Sequence, residues 1–272
     1  MDTNTATTRE YAGGKMLASH EGGVGLVIFN QPEKRNAMSI EMWQGLVEIL
    51  DGFAADDAVR VVVLTGAGDK AFVSGADISQ FAKNRSNAEA QVEYDRLTSA
   101  GRAKLAGFAK PTIAKIRGFC LGGGLAIAMQ TDLRIAAESS QFGIPAARLG
   151  IAYAFDGLRK LVQLVGPAHA RMILYTANRI GAREAERIGL INQAVADADL
   201  DEAVLAIART IADNAPLSIA ASKLTINEVM KDPADRDMEA VRVIGAACFD
   251  SADYKEGRSA FLEKRRPGFT GH

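Results

Sequence analysis

Gly122, Gly123 and Gly124 stand in a row at the mouth of a segment, LAIAMQT, that reads as a helix. A helix start exposes unbonded backbone N–H groups and the positive end of the helix dipole. Glycines in that place let a ligand come close to the backbone. Two ligand types fit, a phosphate or a carbonyl oxygen that becomes negative during reaction. The same glycines also suit close packing of a helix on a strand. A second stretch, KAFVSGADI at 70 to 78, puts Gly75-Ala76 on a turn behind the apolar run Val59 to Thr65. One N–H from each of two separate turns is the geometry of an oxyanion hole. GAGDK at 66 to 70 lacks the G-x-x-x-x-G-K-[ST] spacing of a phosphate loop.

Groups that move protons are scarce around these glycines. The three histidines fall in the first hairpin (His20), a late helix (His169) and the C-terminus (His272), so no Ser/His/Asp or Cys/His triad has support. Cys120 and Cys248 sit in no metal-ligand or redox spacing. Two reduced thiols are expected, with Cys120 a small buried residue. No metal is expected. GIAYAFDGL at 150 to 158 holds two polar side chains, Tyr153 and Asp156. Asp156 reads either as a catalytic group or as the cap of the helix starting there. Tyr153 reads either as a catalytic group or as a pocket wall.

The elements that must position these groups follow from periodicity. Lys15 to His20 and Val24 to Asn30 are strand-like and separated by Glu21-Gly22-Gly23, a hairpin signal. Ser39 reads as an N-cap, with Trp43, Leu46, Val47, Leu50 and Phe53 at helical spacing behind it. Val59 to Thr65, Thr112 to Ile116 and Leu133 to Ala136 are strands, giving the alternation of an α/β core. Residues 1 to 14 read as a flexible lead and 15 to 198 as the core. From Asp199 the strand signal vanishes, leaving a helix marked by Leu200, Val204, Ile207, Ala208 and Ile211, then helices near 216 to 231, 235 to 249 and 251 to 263. A helical region 199 to 272 of this kind packs either on its own core or on a neighbouring subunit.

Composition narrows the class. With 48% hydrophobic residues the 272-residue chain can bury a sizeable core. Lys plus Arg is 32 against 33 for Asp plus Glu, which argues against a nucleic-acid footprint. The start has neither a secretory nor a transit pattern. The longest uncharged run, Gly118 to Thr131, is shorter than the roughly 18 to 20 apolar residues of a membrane span. A cytoplasmic protein with no membrane and no nucleic-acid partner is expected.

These stretches, in their order and spacing, strongly resemble the crotonase superfamily, the enoyl-CoA hydratase/isomerase family. The resemblance runs from about Lys15 to Phe269. Its landmarks are QPEKRNAMS at 31 to 39, KAFVSGADI, KPTIAKIRGFCLGGGLAIAMQTDLRIA at 110 to 136, FGIPAARLG at 142 to 150, EAERIGLINQAV at 184 to 195 and SADYKEGRSAFLEKRRPGF at 251 to 269. It implies a spiral of ββα units with an all-helical C-terminal region that builds homo-trimers, often paired into hexamers. It also implies an acyl-CoA thioester as substrate, with no cofactor beyond the CoA moiety. The implied oxyanion hole falls on the backbone N–H groups of Ala76 and Gly123. Lys34, Arg35 and Ala37 match the segment that cradles CoA, and Ala76, Asp77 and Ile78 the segment beside the adenine. Phe261 and Lys264 match tail residues that reach the CoA of a neighbouring subunit.

One departure matters. The family's hydratases use two glutamates, and at the matching positions this chain has Ala126 and Ala146. A general acid or base contributes about 10²–10⁴-fold, so both losses weigh against efficient hydration. LGIAYAFDGLRKL also resembles the methylmalonyl-CoA decarboxylase branch, which carries a tyrosine where Tyr153 stands. Some members of that branch have a histidine where this chain has Ala76. Three readings follow. The first is an acyl-CoA lyase or isomerase working through a thioester enolate, with decarboxylation favoured. The second is a hydratase or double-bond isomerase using Asp156 or a pocket water as proton carrier. The third is a non-catalytic acyl-CoA-binding protein. Phe81, Met129, Tyr153 and Phe155 are expected as apolar pocket walls.

Overall fold

The computed structural model describes residues 7–77 and 88–272. Ile78 and Phe81 lie outside the described residues. Eleven described strands form two sheets. The large sheet contains β1 (Arg9–Tyr11), β2 (Met16–Glu21), β3 (Val24–Phe29), β4 (Val61–Gly66), β6 (Thr112–Ile116), β8 (Leu133–Ala137) and β11 (Gln193–Val195), in that spatial order. The small sheet has the order β10 (Ile180–Gly181), β9 (Gln141–Gly143), β7 (Phe119–Leu121), β5 (Ala71–Val73). The described helices are α1 (Ile40–Ala55), α2 (Ala88–Ala106), α3 (Gly123–Gln130), α4 (Phe155–Thr176), α5 (Ala182–Arg187), α6 (Leu200–Asp213), α7 (Pro216–Val229), α8 (Met238–Asp250) and α9 (Ala252–Glu263).

Local chemistry explains most boundaries. Gly22 and Gly23, with φ of 55° and 84°, close the β2–β3 hairpin, a turn that needs positive φ at both positions. Ser39 caps α1 by accepting the Met42 N–H, and Met42, Trp43, Leu46, Ile49, Leu50 and Phe53 bury one face of the helix. Val47 is only half-buried. The lead is not wholly loose. Arg9–Tyr11 pair antiparallel with Met16–Ala18, because the strand edge of β2 would otherwise carry unsatisfied N–H and C=O groups.

β3, β4, β6, β8 and β11 run parallel, and both faces of this parallel part are covered. Alternate residues of β4 therefore enter different cores. Val62 and Leu64 pack between the two sheets with α1, α3 and α4, whereas Val61 and Val63 pack under Leu200, Val204 and Ala208 of α6. Burial on both sides is why Val59 to Thr65 reads as a continuous apolar run. Its one charge, Arg60, reaches out of the sheet and donates to Ala212 O (3.0 Å) and Phe269 O (2.6 Å), tying the tail to the core.

The region from 199 onward is helical, as its lost strand signal predicts. Only α6 sits on the sheet. The helices α7, α8 and α9 leave Ile226, Val229, Met238, Phe249, Phe261 and Leu262 exposed. No described helix is long and apolar enough to cross a membrane.

Candidate active site

The three glycines do three different things. Gly122 is the N-cap of α3 at φ 51°, ψ −114°, a conformation open to glycine. Its N–H donates to Gly143 O on β9 at 2.8 Å. Gly123 faces the Gly75-Ala76 turn, and a Cβ on it would lie 3.5 Å from the Ala76 nitrogen. Gly124 is pressed onto β5, where a Cβ would sit 1.9 Å from Val73 O. Of the two alternatives left open by the sequence, helix packing thus falls on Gly124, while Gly123 is left against the Gly75-Ala76 turn.

The Ala76 N–H is freed by the way its strand is bonded. Met38 N–H donates to Gly75 O (2.8 Å) and Asp77 N–H donates to Met38 O (2.9 Å), forming a parallel bridge at Met38 and Ala76. In extended backbone successive N–H groups alternate sides, so the Ala76 N–H faces away from Met38. The Gly123 N–H lies in the first turn of α3 and has no intrahelical acceptor. Among the described residues neither N–H has a backbone partner. Two such donors on facing turns can hold one oxygen and stabilise negative charge on it.

The segment 31 to 38 runs beside this pair. Ser74 N–H donates to Arg35 O at 3.1 Å, continuing the same ladder. Lys34 Nζ meets Asp77 Oδ2 at 2.8 Å, and the hydrogen bond and charge of Asp77 raise the Lys34 pKa. The exposed Arg35 guanidinium lies over the Phe119 ring, 5.4 Å from its centroid, with Arg179 at 4.8 Å from the same centroid. Ala37 is buried. Lys34, Arg35, Ala37, Ala76, Asp77 and Gly123 are therefore brought together. Phe261 and Lys264 are not part of this cluster's bonding. Phe261 is 84% exposed on α9, and Lys264 ends that helix in left-handed backbone at φ 55°.

Tyr153 does reach the site. Its hydroxyl approaches Gly122 O at 3.4 Å, and its ring packs against the main core. Burial pushes the phenol pKa up, the nearby Cys120 thiol adds to this, and Arg102 opposes it. The phenol is therefore a proton donor near neutral pH and not a base. Cys120 is buried, which raises its pKa too and keeps it an unreactive thiol. Asp156 is exposed in the first turn of α4. The cap position belongs to Ala154, whose methyl group cannot bond the helix, so of the two readings of Asp156 the capping one is not realised. Ala146 is buried on the turn at Pro145–Arg148, and Ala126 is half-buried in the first turn of α3. Of the expected walls, Met129 is buried in the core, while Phe155 is 76% exposed. Among the described residues no cluster of His, Cys, Asp or Glu could hold a metal ion.

Two residues that matter were not singled out from sequence. Asn36 is fully buried at φ 56°, donates from Nδ2 to Ala67 O (2.9 Å) and Ala71 O (2.8 Å), and accepts the Gln31 N–H (3.0 Å). It stitches the 31 to 38 segment onto the β4–β5 connection. Its signal was an asparagine, tolerant of left-handed backbone, inside QPEKRNAMS. Gly157 carries no side chain where a Cβ would lie 2.7 Å from Tyr153 Cε1. Its signal was a glycine four places after a tyrosine, inside a helical stretch.

Fold and site together describe an α/β enzyme scaffold with two backbone donors beside a cationic cradle. The family profile described as Enoyl-CoA hydratase/isomerase matches residues 19–272. A "Crotonyl-CoA hydratase" of Syntrophomonas wolfei subsp. wolfei is 40% identical over 257 residues, covering 93% of this chain and 97% of that protein. A "Short-chain-enoyl-CoA hydratase" of Clostridium acetobutylicum is 37% identical, covering 92% and 95%. An enoyl-CoA hydratase/carnithine racemase structure from Magnetospirillum magneticum superposes with a TM-score of 0.91 at 36% identity, covering 95% of this chain and 96% of that one. The chain belongs to the enoyl-CoA hydratase/isomerase family.

Proposed function

We propose that this enzyme binds an acyl-CoA thioester and stabilises the enolate formed from it between the Ala76 and Gly123 N–H groups. The observation that carries this reading is that Gly123 lies against the Gly75-Ala76 turn, a Cβ on it falling 3.5 Å from the Ala76 nitrogen, and that neither N–H has a backbone acceptor among the described residues. Each such donor is worth about 2.7–4 kcal/mol in a transition state. Lys34, Arg35, Ala37, Ala76 and Asp77 hold the CoA moiety, and no other cofactor is needed.

The reaction we favour needs no pair of carboxylates, since alanine occupies both 126 and 146. In a malonyl-type thioester the C–C bond to the carboxylate breaks and releases CO₂. Its electron pair passes to the thioester oxygen as enolate, and a water proton then reaches the α-carbon. Double-bond isomerisation passes through a dienolate held in the same oxyanion hole, with Asp156 or a pocket water taking a proton from one carbon and returning it to another. The exposed apolar side chains of α7–α9 support assembly into a homo-trimer or hexamer, where Phe261 and Lys264 meet the CoA of a neighbouring copy.

A second reading, hydration of a short enoyl-CoA, is favoured by the names of the two relatives. It requires Asp156 or a pocket water to carry the proton. Purified protein is first given crotonyl-CoA, followed by loss of the enoyl-thioester absorbance, and then malonyl- and methylmalonyl-CoA, followed by CO₂ release. CO₂ release without hydration supports the favoured reaction. Hydration at about 1–10³ per second overturns it, and Asp156→Asn then abolishes turnover while CoA binding persists. Tight acyl-CoA binding with no turnover of any thioester leaves a binding protein.

A further inference from the structure

The Gly122 carbonyl and the Gly123 N–H are two ends of one peptide group. Its carbonyl oxygen is engaged twice. The Ala126 N–H donates to it over 3.0 Å, opening the α3 ladder, and the Tyr153 hydroxyl approaches it at 3.4 Å. Its other end is the N–H of Gly123, the residue that lies against Ala76. Because the peptide group is conjugated, a proton donated to the oxygen draws density from nitrogen and makes the N–H a stronger donor.

We propose that Tyr153 is a positioning residue of this site. Its hydroxyl, donated to the Gly122 carbonyl, fixes the plane of the Gly122–Gly123 peptide and strengthens the Gly123 N–H that meets the thioester oxygen. The proposal rests on the enolate reading above and gives Tyr153 a role that acts through the backbone.

Three features of the site support it. Gly122 is the residue least able to restrain its own peptide plane, since it has no side chain and sits at φ 51°. The Ala126 N–H supplies one restraint from within the helix, and the Tyr153 hydroxyl adds a second from outside it. Second, the phenol stays protonated, so it has a proton to donate. Third, the ring is held in place from the far side. Tyr153 lies against the first turn of α4 at Gly157, where any side chain would collide with it.

The test uses butyryl-CoA labelled with ¹³C at the carbonyl, bound to the full-length protein, with the thioester C=O stretch read by isotope-edited infrared difference spectroscopy. In the wild type the stretch falls on binding. Tyr153→Phe keeps the ring and removes only the hydroxyl, and the expected result is a smaller fall. On whichever acyl-CoA the assays above identify, kcat drops about 3- to 10-fold, the range of one neutral hydrogen bond, with KM within about twofold. Gly157→Ala displaces the ring and moves the carbonyl stretch in the same direction. An unchanged carbonyl stretch in Tyr153→Phe overturns the proposal, and so does a loss of kcat without it, which would make Tyr153 a direct proton carrier. A wild type that binds butyryl-CoA with an unshifted carbonyl overturns the enolate reading itself, before any variant is compared.

Discussion

Adjacent glycines with different environments separate packing from function. Gly124→Ala drives a Cβ into Val73 O at 1.9 Å, and neither backbone can yield cheaply. We expect a loss of about 3 kcal/mol or more, read as a large fall in melting temperature. Gly123→Ala meets only ordinary contacts, the nearest at 3.5 Å, and alanine is the better helix former. Its melting temperature should hold while turnover falls about 10²–10³-fold, because the methyl group crowds the space before the two N–H donors. A Gly123→Ala enzyme with normal turnover would remove the pair from the reaction.

The segment 31 to 38 is an element without a regular ladder of its own, and Asn36 supplies what it lacks. Asn36→Ala removes three hydrogen bonds and leaves Gln31 N–H, Ala67 O and Ala71 O to find other partners in a buried place. It also leaves alanine at φ 56°, where asparagine is better tolerated. A cost of about 2–4 kcal/mol in denaturant unfolding is expected. Because Lys34, Arg35 and Ala37 ride on this segment, KM for the acyl-CoA should rise in the same variant. Several element boundaries here were legible beforehand: the Gly22-Gly23 hairpin, the Ser39 cap and the strand 112–116 all follow from local rules. The three-residue strands β5, β7 and β9 were not, since a strand that short carries no periodicity and exists only because its neighbours complete its ladder.

Across the whole molecule, a few polar ties hold the helical region and tail to the core. The mostly buried Lys223 of α7 donates from Nζ to Asp132 Oδ2 (2.7 Å) and Lys110 O (2.8 Å). Asp132 in turn accepts Thr112 N–H and hydroxyl. Burial lowers the Lys223 pKa, with Asp132 opposing the shift. Lys223→Met should cost about 1–3 kcal/mol and speed amide exchange across α7, while β4 and β6 stay protected. At the tail, Glu256 accepts from Arg265 Nη2 (2.8 Å) and Gly268 N–H (2.9 Å), which pull its pKa to about 2 from the ordinary 4.5. A depressed carboxylate stabilises the fold above its unfolded pKa and loses that contribution as pH falls through the folded one. The clasp is therefore fully present above about pH 4.5 and fades between there and about pH 2. A ¹³C titration of the Glu256 carboxyl checks this, and an ordinary midpoint would show the clasp open in solution.

By itself the sequence determined the α/β alternation, the helical region after Asp199, the two glycine turns and the alanines at 126 and 146. Each of these rests on residue type and near-neighbour spacing, and such information survives in a linear chain. Tertiary structure decided the rest. It set Gly123 against Ala76 where the neighbouring strands β7 and β5 end, and it gave Gly124 to packing. It moved the α4 cap from Asp156 to Ala154 and turned Tyr153 onto the Gly122 carbonyl. Those outcomes depend on which backbone groups remain unbonded once every strand and helix has taken its partners, and that is a property of the assembled fold.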